Sequence, residues 1–341
     1  MHKKAIFLAV VGLGVLYGIF KFVGTSKIIP VLLGADQYLV LTALLLQVVL
    51  MLIWTLRWNI VADYLKLKIP FIRLFPHLLV VNFGDIITPG PRFGAEPLVV
   101  YFMEKKEGIK SEDSLTSMLI ERIYGVVTFN ILAILSIGLL VYYLTINFSI
   151  FLLLLVSLLI SVGLTYVLFH SLANEKEGLK LATKIADWII EIAYHLRAAR
   201  RFGIKETMEE FEKRVNRSMK VFFEEVIKTS KEKELWVVGM LLSFIFYFAI
   251  YAQLYVIFLA VGVKVPFYLI VVMLTLSELV GFLILLPSGV GVTELLIITL
   301  STAAGIDIGV AAAATLIVRG IYYGFGLIAG YVAMVYLAEE I

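Results

Sequence analysis

Cysteine is absent from this sequence, and charged residues are scarce. Without cysteine the chain forms no disulfide, no thiolate metal site and no cysteine nucleophile. Only 16% of the 341 residues are charged, against about a quarter in soluble globular proteins. The net charge of +3 is too small to indicate a nucleic-acid partner. Because 61% of the residues are hydrophobic, a bilayer is the expected solvent for most of the chain.

Short catalytic and nucleotide-binding motifs are also missing. The sequence contains no Gly-x-x-x-x-Gly-Lys-Ser/Thr, Asp-x-Asp, His-Glu-x-x-His or Gly-x-Gly-x-x-Gly. We therefore expect that ATP does not drive the activity directly, and we see no centre for glycosyl transfer or metal-dependent hydrolysis. The sequence predicts a protein that is not an enzyme and that needs neither a cofactor nor a metal.

What the sequence does contain is long apolar runs. A transmembrane helix needs about 20 mostly apolar residues. Two apolar regions, 71–102 and 267–302, are interrupted by proline and glycine, and we interpret each as a re-entrant helical hairpin. The alternative is two ordinary short spans in each region. The prediction is an all-α polytopic membrane protein with two broken hairpins and six full spans, at Ala5–Val23, Tyr38–Trp58, Ser114–Tyr143, Phe148–Phe169, Leu235–Val261 and Ile308–Leu337.

Positive charges near the spans indicate the orientation. Lys3 and Lys4 precede the first run, and lysines and arginines flank region 71–102 on both sides. Cytoplasmic loops are enriched in these residues, so the positive-inside rule places both termini in the cytoplasm. We predict an integral protein of the cell membrane.

The two halves of the sequence resemble each other. The tetrapeptide Lys-Ile-Pro-Phe at 68–71 recurs as Lys-Val-Pro-Phe at 264–267. Glu96 and Glu294 each follow a proline by seven residues, and Arg122 has a counterpart in Arg319. These matches share offsets of 196–198 residues. We predict one transmembrane repeat over 1–143 and a second over 148–341. Since each has three full crossings, the second is expected to lie upside down, as in many secondary transporters.

Ionisable residues interrupt the apolar regions. Each costs at least about 2.5–3.5 kcal/mol in lipid, so these residues are expected to face a cavity or a partner. Arginine forks and the free N–H groups of helix N-termini both suit a phosphate. Structural ion pairs between helices are the alternative. The predicted substrate-binding residues are Arg92, Glu96, Glu121, Arg122, Glu294 and Arg319. Proton or ion coupling is predicted at Glu96, Glu294, Glu278 and Asp85, and helix-break backbone at Pro89, Gly90, Gly94, Pro287, Ser288 and Gly289.

Residues 171–234 are rich in charges of both signs, unlike the rest of the chain. Apolar residues recur there at steps of three and four, in one stripe from Leu181 to Leu196 and in another from Met208 to Val226. We predict a cytoplasmic insert of amphipathic helices within the second repeat.

Two motifs carry a resemblance to a known family. The segments 88–96 (Thr-Pro-Gly-Pro-Arg-Phe-Gly-Ala-Glu) and 286–294 (Leu-Pro-Ser-Gly-Val-Gly-Val-Thr-Glu), with Glu121 and Arg122, resemble the flippase-like transmembrane family. That family is named for the membrane half of lysylphosphatidylglycerol synthase, the multiple peptide resistance factor. The resemblance covers nearly the whole chain and implies a lipid flippase fold. It matches Arg92, Glu96, Glu121, Arg122 and Glu294 to the polar motif positions of the family. Nothing here resembles the soluble aminoacyl-transferase half of its two-domain members, so we do not expect synthesis of lysylphosphatidylglycerol.

Three functions remain open at this point. The first is a flippase that moves an anionic-head-group lipid, either a phospholipid or a polyprenyl-phosphate carrier, between leaflets through a mid-membrane polar cavity. The second is a secondary transporter of small solutes, which requires a cavity closed off from lipid. The third is a membrane partner of a glycosyltransferase in lipid-linked sugar synthesis. The expected partner is a membrane lipid with a phosphate head group, with homo-oligomer formation and a link to a lipid-modifying enzyme left open.

Overall fold

The computed structural model describes residues 18, 21, 23–87, 95–143, 147–173, 208–229, 231–283 and 287–339. Within these ranges there are eleven α-helices, one turn of 3-10 helix and no strand. The 3-10 turn is Pro287–Gly289. The α-helices in chain order are α1 Thr25–Leu33, α2 Gln37–Tyr64, α3 Phe71–Ile87, α4 Glu96–Glu107, α5 Ser111–Tyr143, α6 Phe148–Ala173, α7 Met208–Thr229, α8 Lys233–Ala260, α9 Phe267–Leu283, α10 Val292–Ala303 and α11 Ile308–Glu339.

Five helices, namely α2, α5, α6, α8 and α11, are long and apolar enough to cross a membrane. They correspond to five of the six predicted spans. The remaining prediction, Ala5–Val23, lies almost entirely outside the described residues. The prediction of an α-helical polytopic membrane protein is confirmed.

The two regions predicted to be broken each form two short helices, which we call the two arms of the break. The arms α3 and α4 have 17 and 12 residues, and the arms α9 and α10 have the same two lengths. None reaches the roughly 20 residues that a straight span requires. Between α9 and α10, Gly289 and Gly291 have φ angles of 65° and 89°, which favour glycine because a Cβ would be strained there. The re-entrant course of the arms stays a prediction.

Helix lengths in the first half recur in the second. Helices α2 and α8 both have 28 residues and begin 196 residues apart. Helix α5 has 33 residues, and α11, which begins 197 residues later, has 32. Contacts recur as well, since α3 packs against α11 and α9 packs against α5. The opposite orientation of the halves and the boundaries of the two repeats stay predictions.

Glycines permit close approach of the two arms at each break. A Cβ on Gly84 of α3 would lie 2.1 Å from the Cβ of Ala95, which directly precedes α4. A Cβ on Gly281 of α9 would lie 2.4 Å from the Oγ1 of Thr293 in α10. A larger residue at either glycine would force the arms apart. The break therefore brings the polar ends of its two arms together.

The charged segment contributes one described helix, α7. The side chains of Phe222, Phe223 and Val226 are buried against Ile120 and Tyr124 of α5. This apolar face explains why α7 lies along α5 and α6. The predicted stripe from Leu181 to Leu196 lies outside the described residues, and the cytoplasmic location of the insert stays a prediction.

Candidate functional site

A cavity of about 250 Å³ lies between the two halves of the molecule. Residues of α2, α3 and α5 from the first half line it, together with residues of α6, α8, α9, α10 and α11 from the second. Its charged lining residues are Arg57, Asp85, Glu121, Arg122, Glu278 and Arg319. Ions from both halves thus face one space.

Arg122 on α5 binds a carboxylate from each arm of the first break. Its Nη2 lies 2.5 Å from Oε1 of Glu96 on α4 and 3.4 Å from Oδ1 of Asp85 on α3. All three side chains are largely buried, which strengthens their electrostatic attraction. We call these three residues the first triad.

Arg319 on α11 makes the same arrangement at the second break. Its Nε lies 2.9 Å from Oε1 of Glu294 on α10, and its Nη2 lies 3.6 Å from Oε1 of Glu278 on α9. The guanidinium carbon is also 5.9 Å and 5.8 Å from the ring centres of Tyr322 and Tyr323, within range of a cation–π interaction. We call Arg319, Glu278 and Glu294 the second triad.

A third buried ion pair joins Arg57 on α2 to Glu121 on α5. The Nη1 of Arg57 also donates a hydrogen bond of 3.0 Å to Ser243 on α8, and its guanidinium lies 5.3 Å from the ring centre of Phe246. Sequence reasoning missed Arg57 because it lies inside the predicted span Tyr38–Trp58. The available signal was the charge itself, since an arginine in an apolar run is costly without a partner.

The helix N-terminus at the second break is occupied by the chain itself. The backbone N–H of Gly291 donates a hydrogen bond of 2.5 Å to Oε2 of Glu294, which caps α10 from within. The expectation that this N-terminus offers its N–H groups to a phosphate is therefore wrong for Gly291. Glu294 serves both as the cap of α10 and as the ion partner of Arg319.

Uncharged polar and aromatic residues complete the cavity. The Nε2 of Gln253 on α8 donates a hydrogen bond of 3.2 Å to Gln47 on α2. The amide nitrogen of Asn82, a residue that is only 1% exposed, makes no hydrogen bond within the described part of the chain. Such a donor calls for an oxygen acceptor in the cavity. The aromatic lining residues are Trp54, Phe129, Phe246, Tyr247, Tyr251 and Tyr322.

Apart from the backbone residues of the second break, the predicted site residues fall into three groups. Those that line the cavity are Glu121, Arg122, Arg319, Glu278 and Asp85. Glu96 and Glu294 do not line it; they contact the arginines from behind. Arg92, Pro89, Gly90 and Gly94 lie outside the described residues.

At the second break, the predicted backbone residues form the 3-10 turn that begins at Pro287. The hydroxyl of Ser288 donates a hydrogen bond of 3.3 Å to Tyr322 on α11, and the carbonyl of Gly289 accepts one of 3.2 Å from Thr293. The turn is therefore fixed both to α10 and to a wall of the cavity. Among the described residues, no group of three or more His, Asp or Glu side chains is arranged to hold a metal ion.

Comparison with known proteins places the chain in a family. The family model described as the lysylphosphatidylglycerol synthase TM region matches residues 5–330. A UPF0104 membrane protein of Methanothermobacter thermautotrophicus is 28% identical over 340 residues, which cover 100% of this chain and 97% of the relative. UPF0104 membrane protein MJ1595 of Methanocaldococcus jannaschii is 28% identical over 341 residues, covering 99% and 96%. A similar protein of Pyrococcus horikoshii is 25% identical over 320 residues, covering 93% and 92%.

The family match covers nearly the whole chain, and the described helices include the five long apolar ones. Three of the six triad residues, Glu96, Arg122 and Glu294, belong to the polar motifs that carried the resemblance. This protein is an integral membrane protein, and it belongs to the lysylphosphatidylglycerol synthase transmembrane-region family.

Proposed function

We propose that this protein moves a lipid with a phosphate head group between the two leaflets of the membrane, and that the head group passes through the central cavity. In this proposal it acts as a transporter and not as an enzyme. The observation that carries the proposal is the pair of triads, one from each half, on a single cavity that also has an aromatic lining. The family to which the chain belongs supports a role in lipid handling.

The geometry of the triads supports a phosphate as the part of the lipid that is recognised. Each arginine has a close carboxylate, at 2.5 Å in Glu96 and 2.9 Å in Glu294, and a more distant one, at 3.4 Å in Asp85 and 3.6 Å in Glu278. A phosphate oxygen that approaches from the cavity meets the distant contact first. It can replace that carboxylate on the guanidinium while the close carboxylate keeps the arginine in place.

The lipid tails require an opening toward the bilayer. Val126 of α5 lines the cavity and is 37% exposed, which supports an opening beside this helix. We further propose that the two halves are inverted repeats whose broken arms move alternately, so that the cavity faces one leaflet and then the other. The recurrence of helix lengths and of arginine-centred triads supports this arrangement.

A reconstituted flipping assay tests the proposal. The full chain is placed in phosphatidylcholine vesicles that contain a trace of one fluorescent lipid, and a membrane-impermeant quencher reports which leaflet holds it. The panel includes phosphatidylglycerol, phosphatidylethanolamine and a polyprenyl phosphate. We expect at least one phosphate-bearing lipid to cross faster than in protein-free vesicles. A rate equal to that of protein-free vesicles for every lipid of the panel contradicts the proposal.

Arginine variants connect the flipping rate to the cavity. Arg319→Lys keeps the charge but loses the planar fork, and we expect it to slow flipping by about tenfold, the equivalent of about 1.4 kcal/mol. Arg217→Ala is the control, because Arg217 lies on α7 with its side chain 72% exposed and away from the cavity. Equal flipping rates for Arg319→Lys and the wild type would show that the second triad takes no part in transport.

A further inference from the structure

The two triads and the Arg57–Glu121 pair together contain more carboxylates than arginines. Within the described residues, five carboxylates belong to ion pairs with only three arginines. Arg57 and Glu121 balance each other, so the excess lies in the triads, where one guanidinium serves two carboxylates. Two carboxylates that share one guanidinium inside a bilayer repel each other, and a cation bound by one of them relieves that repulsion.

The two carboxylates of the second triad differ in their access to the cavity. Glu294 is 2% exposed, is 2.9 Å from Arg319 and also caps α10. Glu278 is 24% exposed, is 3.6 Å from Arg319 and lines the cavity. In the first triad the corresponding outer carboxylate, Asp85, is only 2% exposed. Glu278 is therefore the outer carboxylate that a cation from the cavity reaches most easily.

Asn82 gives an independent indication that the cavity carries a polar ligand. Its amide nitrogen, which has no hydrogen-bond partner among the described residues, is a buried donor, and Asn82 lines the same cavity as Glu278. Asn82 and Glu278 are 196 residues apart, the same offset that separates α3 from α9. A cavity of about 250 Å³ has room for several water molecules, which such a donor can order into a path for protons.

We propose that Glu278 is the binding site of an exchangeable proton, and that the proton travels with the phosphate head group; this inference rests on the proposed function. Glu278 takes a proton from water on one side of the membrane and becomes a neutral carboxylic acid. Arg319 is then paired with Glu294, and the guanidinium that Glu278 has left binds a phosphate oxygen. On the other side Glu278 releases the proton to water, its carboxylate returns to Arg319, and the phosphate leaves.

The surroundings of Glu278 are compatible with this exchange. The ionisable groups that line the cavity with Glu278 are Arg57 on α2, Asp85 on α3, Glu121 and Arg122 on α5, Tyr247 and Tyr251 on α8, and Arg319 and Tyr322 on α11. Glu294 on α10 contacts Arg319, and Tyr323 on α11 lies near enough to Glu278 to interact with it. Glu278 therefore has the positive charge of Arg319 beside it and other acidic and phenolic groups in the same cavity. A proton fits better than a metal ion, because the described residues offer no group of three metal-ligating side chains.

Infrared spectroscopy tests the proton site without any assay of transport. The full chain in phosphatidylcholine vesicles is titrated between about pH 5 and pH 9, a range centred on neutral pH. We expect the C=O stretch of a protonated carboxylic acid to disappear on raising the pH in the wild type and in the control Glu234→Gln, an exposed carboxylate of α8. The signal is expected to be absent in Glu278→Gln and retained in Glu278→Asp. A wild-type titration that Glu278→Gln leaves intact overturns the assignment.

The flipping assay then tests whether proton binding by Glu278 is coupled to lipid flipping. In the wild type, raising the pH on the loading side should slow flipping by up to about tenfold per pH unit. In Glu278→Gln the dependence should fall below about twofold per pH unit, while Asp85→Asn and Glu234→Gln keep it. A dependence on sodium at constant pH, or flattening by Asp85→Asn alone, overturns the inference. If no lipid crosses but the infrared titration depends on Glu278, the proposed function fails and the proton site stands.

Discussion

Arg57 of α2 donates a hydrogen bond of 3.0 Å to Ser243 of α8. Between the same two helices, Gln253 of α8 donates one of 3.2 Å to Gln47 of α2. The two donors, Arg57 and Gln253, are 196 residues apart, and so are the two acceptors, Gln47 and Ser243. Two hydrogen bonds at equivalent positions therefore join α2 and α8. The donor is an arginine in one of them and a glutamine in the other.

Removing Arg57 and its ion partner Glu121 together should cost less unfolding free energy than the sum of the two single removals. Arg57→Gln leaves the buried Glu121 without its cation and is expected to cost about 3–5 kcal/mol of unfolding free energy. Glu121→Gln should cost a similar amount. In the double variant the losses should fall short of their sum by about 1–3 kcal/mol, because no buried charge is left alone. Reversible denaturation in mixed micelles measures all four proteins, and simple additivity would show that the two residues do not depend on each other.

Glycine at position 84 should be required for the two arms of the first break to touch. In Gly84→Ala the added carbon would lie 2.1 Å from the Cβ of Ala95 and 2.8 Å from its Cα, so the backbones must separate. We expect a loss of about 1–3 kcal/mol in unfolding free energy. The control is Gly138→Ala on α5, where the added carbon meets no heavy atom of the described chain within 4 Å. That change should be neutral or should stabilise by up to about 1 kcal/mol. Equal stability of the two variants would contradict the close approach.

Two substitutions separate the two roles of Glu294. Glu294→Gln keeps an oxygen that accepts from the N–H of Gly291 but loses the charge that faces Arg319. Glu294→Ala loses both interactions. We expect the alanine variant to be less stable than the glutamine variant by about 1 kcal/mol, the usual value of a helix cap.

The control for the cap is Thr299→Ala, because Thr299 lies further along α10 and its hydroxyl only bonds to the backbone of its own helix. Its effect on the unfolding free energy should stay within about 0.5 kcal/mol. If Glu294→Gln and Glu294→Ala unfold at the same denaturant concentration, the cap contributes nothing to stability.

The inverted orientation of the halves can be tested by labelling, because the natural chain has no cysteine. Lys68 and Lys264 are exposed residues at equivalent positions just before α3 and α9. Lys68→Cys and Lys264→Cys should react with a membrane-impermeant maleimide from opposite sides of sealed vesicles. Glu339→Cys, at the end of α11, should react on the side of Lys68→Cys. Labelling of both lysine positions from one side would rule out the inverted arrangement.

The helices could be predicted from sequence because each depends on local composition. Apolar runs of about 20 residues identified five of the long helices, and proline and glycine identified the breaks. Glu121, Arg122 and Arg319 were identified as site residues because a charge in an apolar run has few explanations other than a partner or a cavity.

The partners of these charges could not be predicted, because they depend on how distant helices pack. Arg122 meets Asp85 and Glu96 from 37 and 26 residues away. Sequence spacing alone also gave Glu294 a direct role in binding, whereas the helix geometry turns its side chain back onto Gly291. Only the structure distinguishes the carboxylates that lie close to each arginine, Glu96 and Glu294, from the outer carboxylates that line the cavity, Asp85 and Glu278.

The arginine of each triad lies on a third helix and contacts a carboxylate on both arms of a break, which limits how the arms can separate. If both arms let go together, a guanidinium would be stranded in the bilayer, at a cost of at least about 2.5–3.5 kcal/mol. If the arms move as we propose, we therefore expect one arm of each break to stay attached to its arginine while the other moves, so that Arg122 and Arg319 order the rearrangement into separate steps.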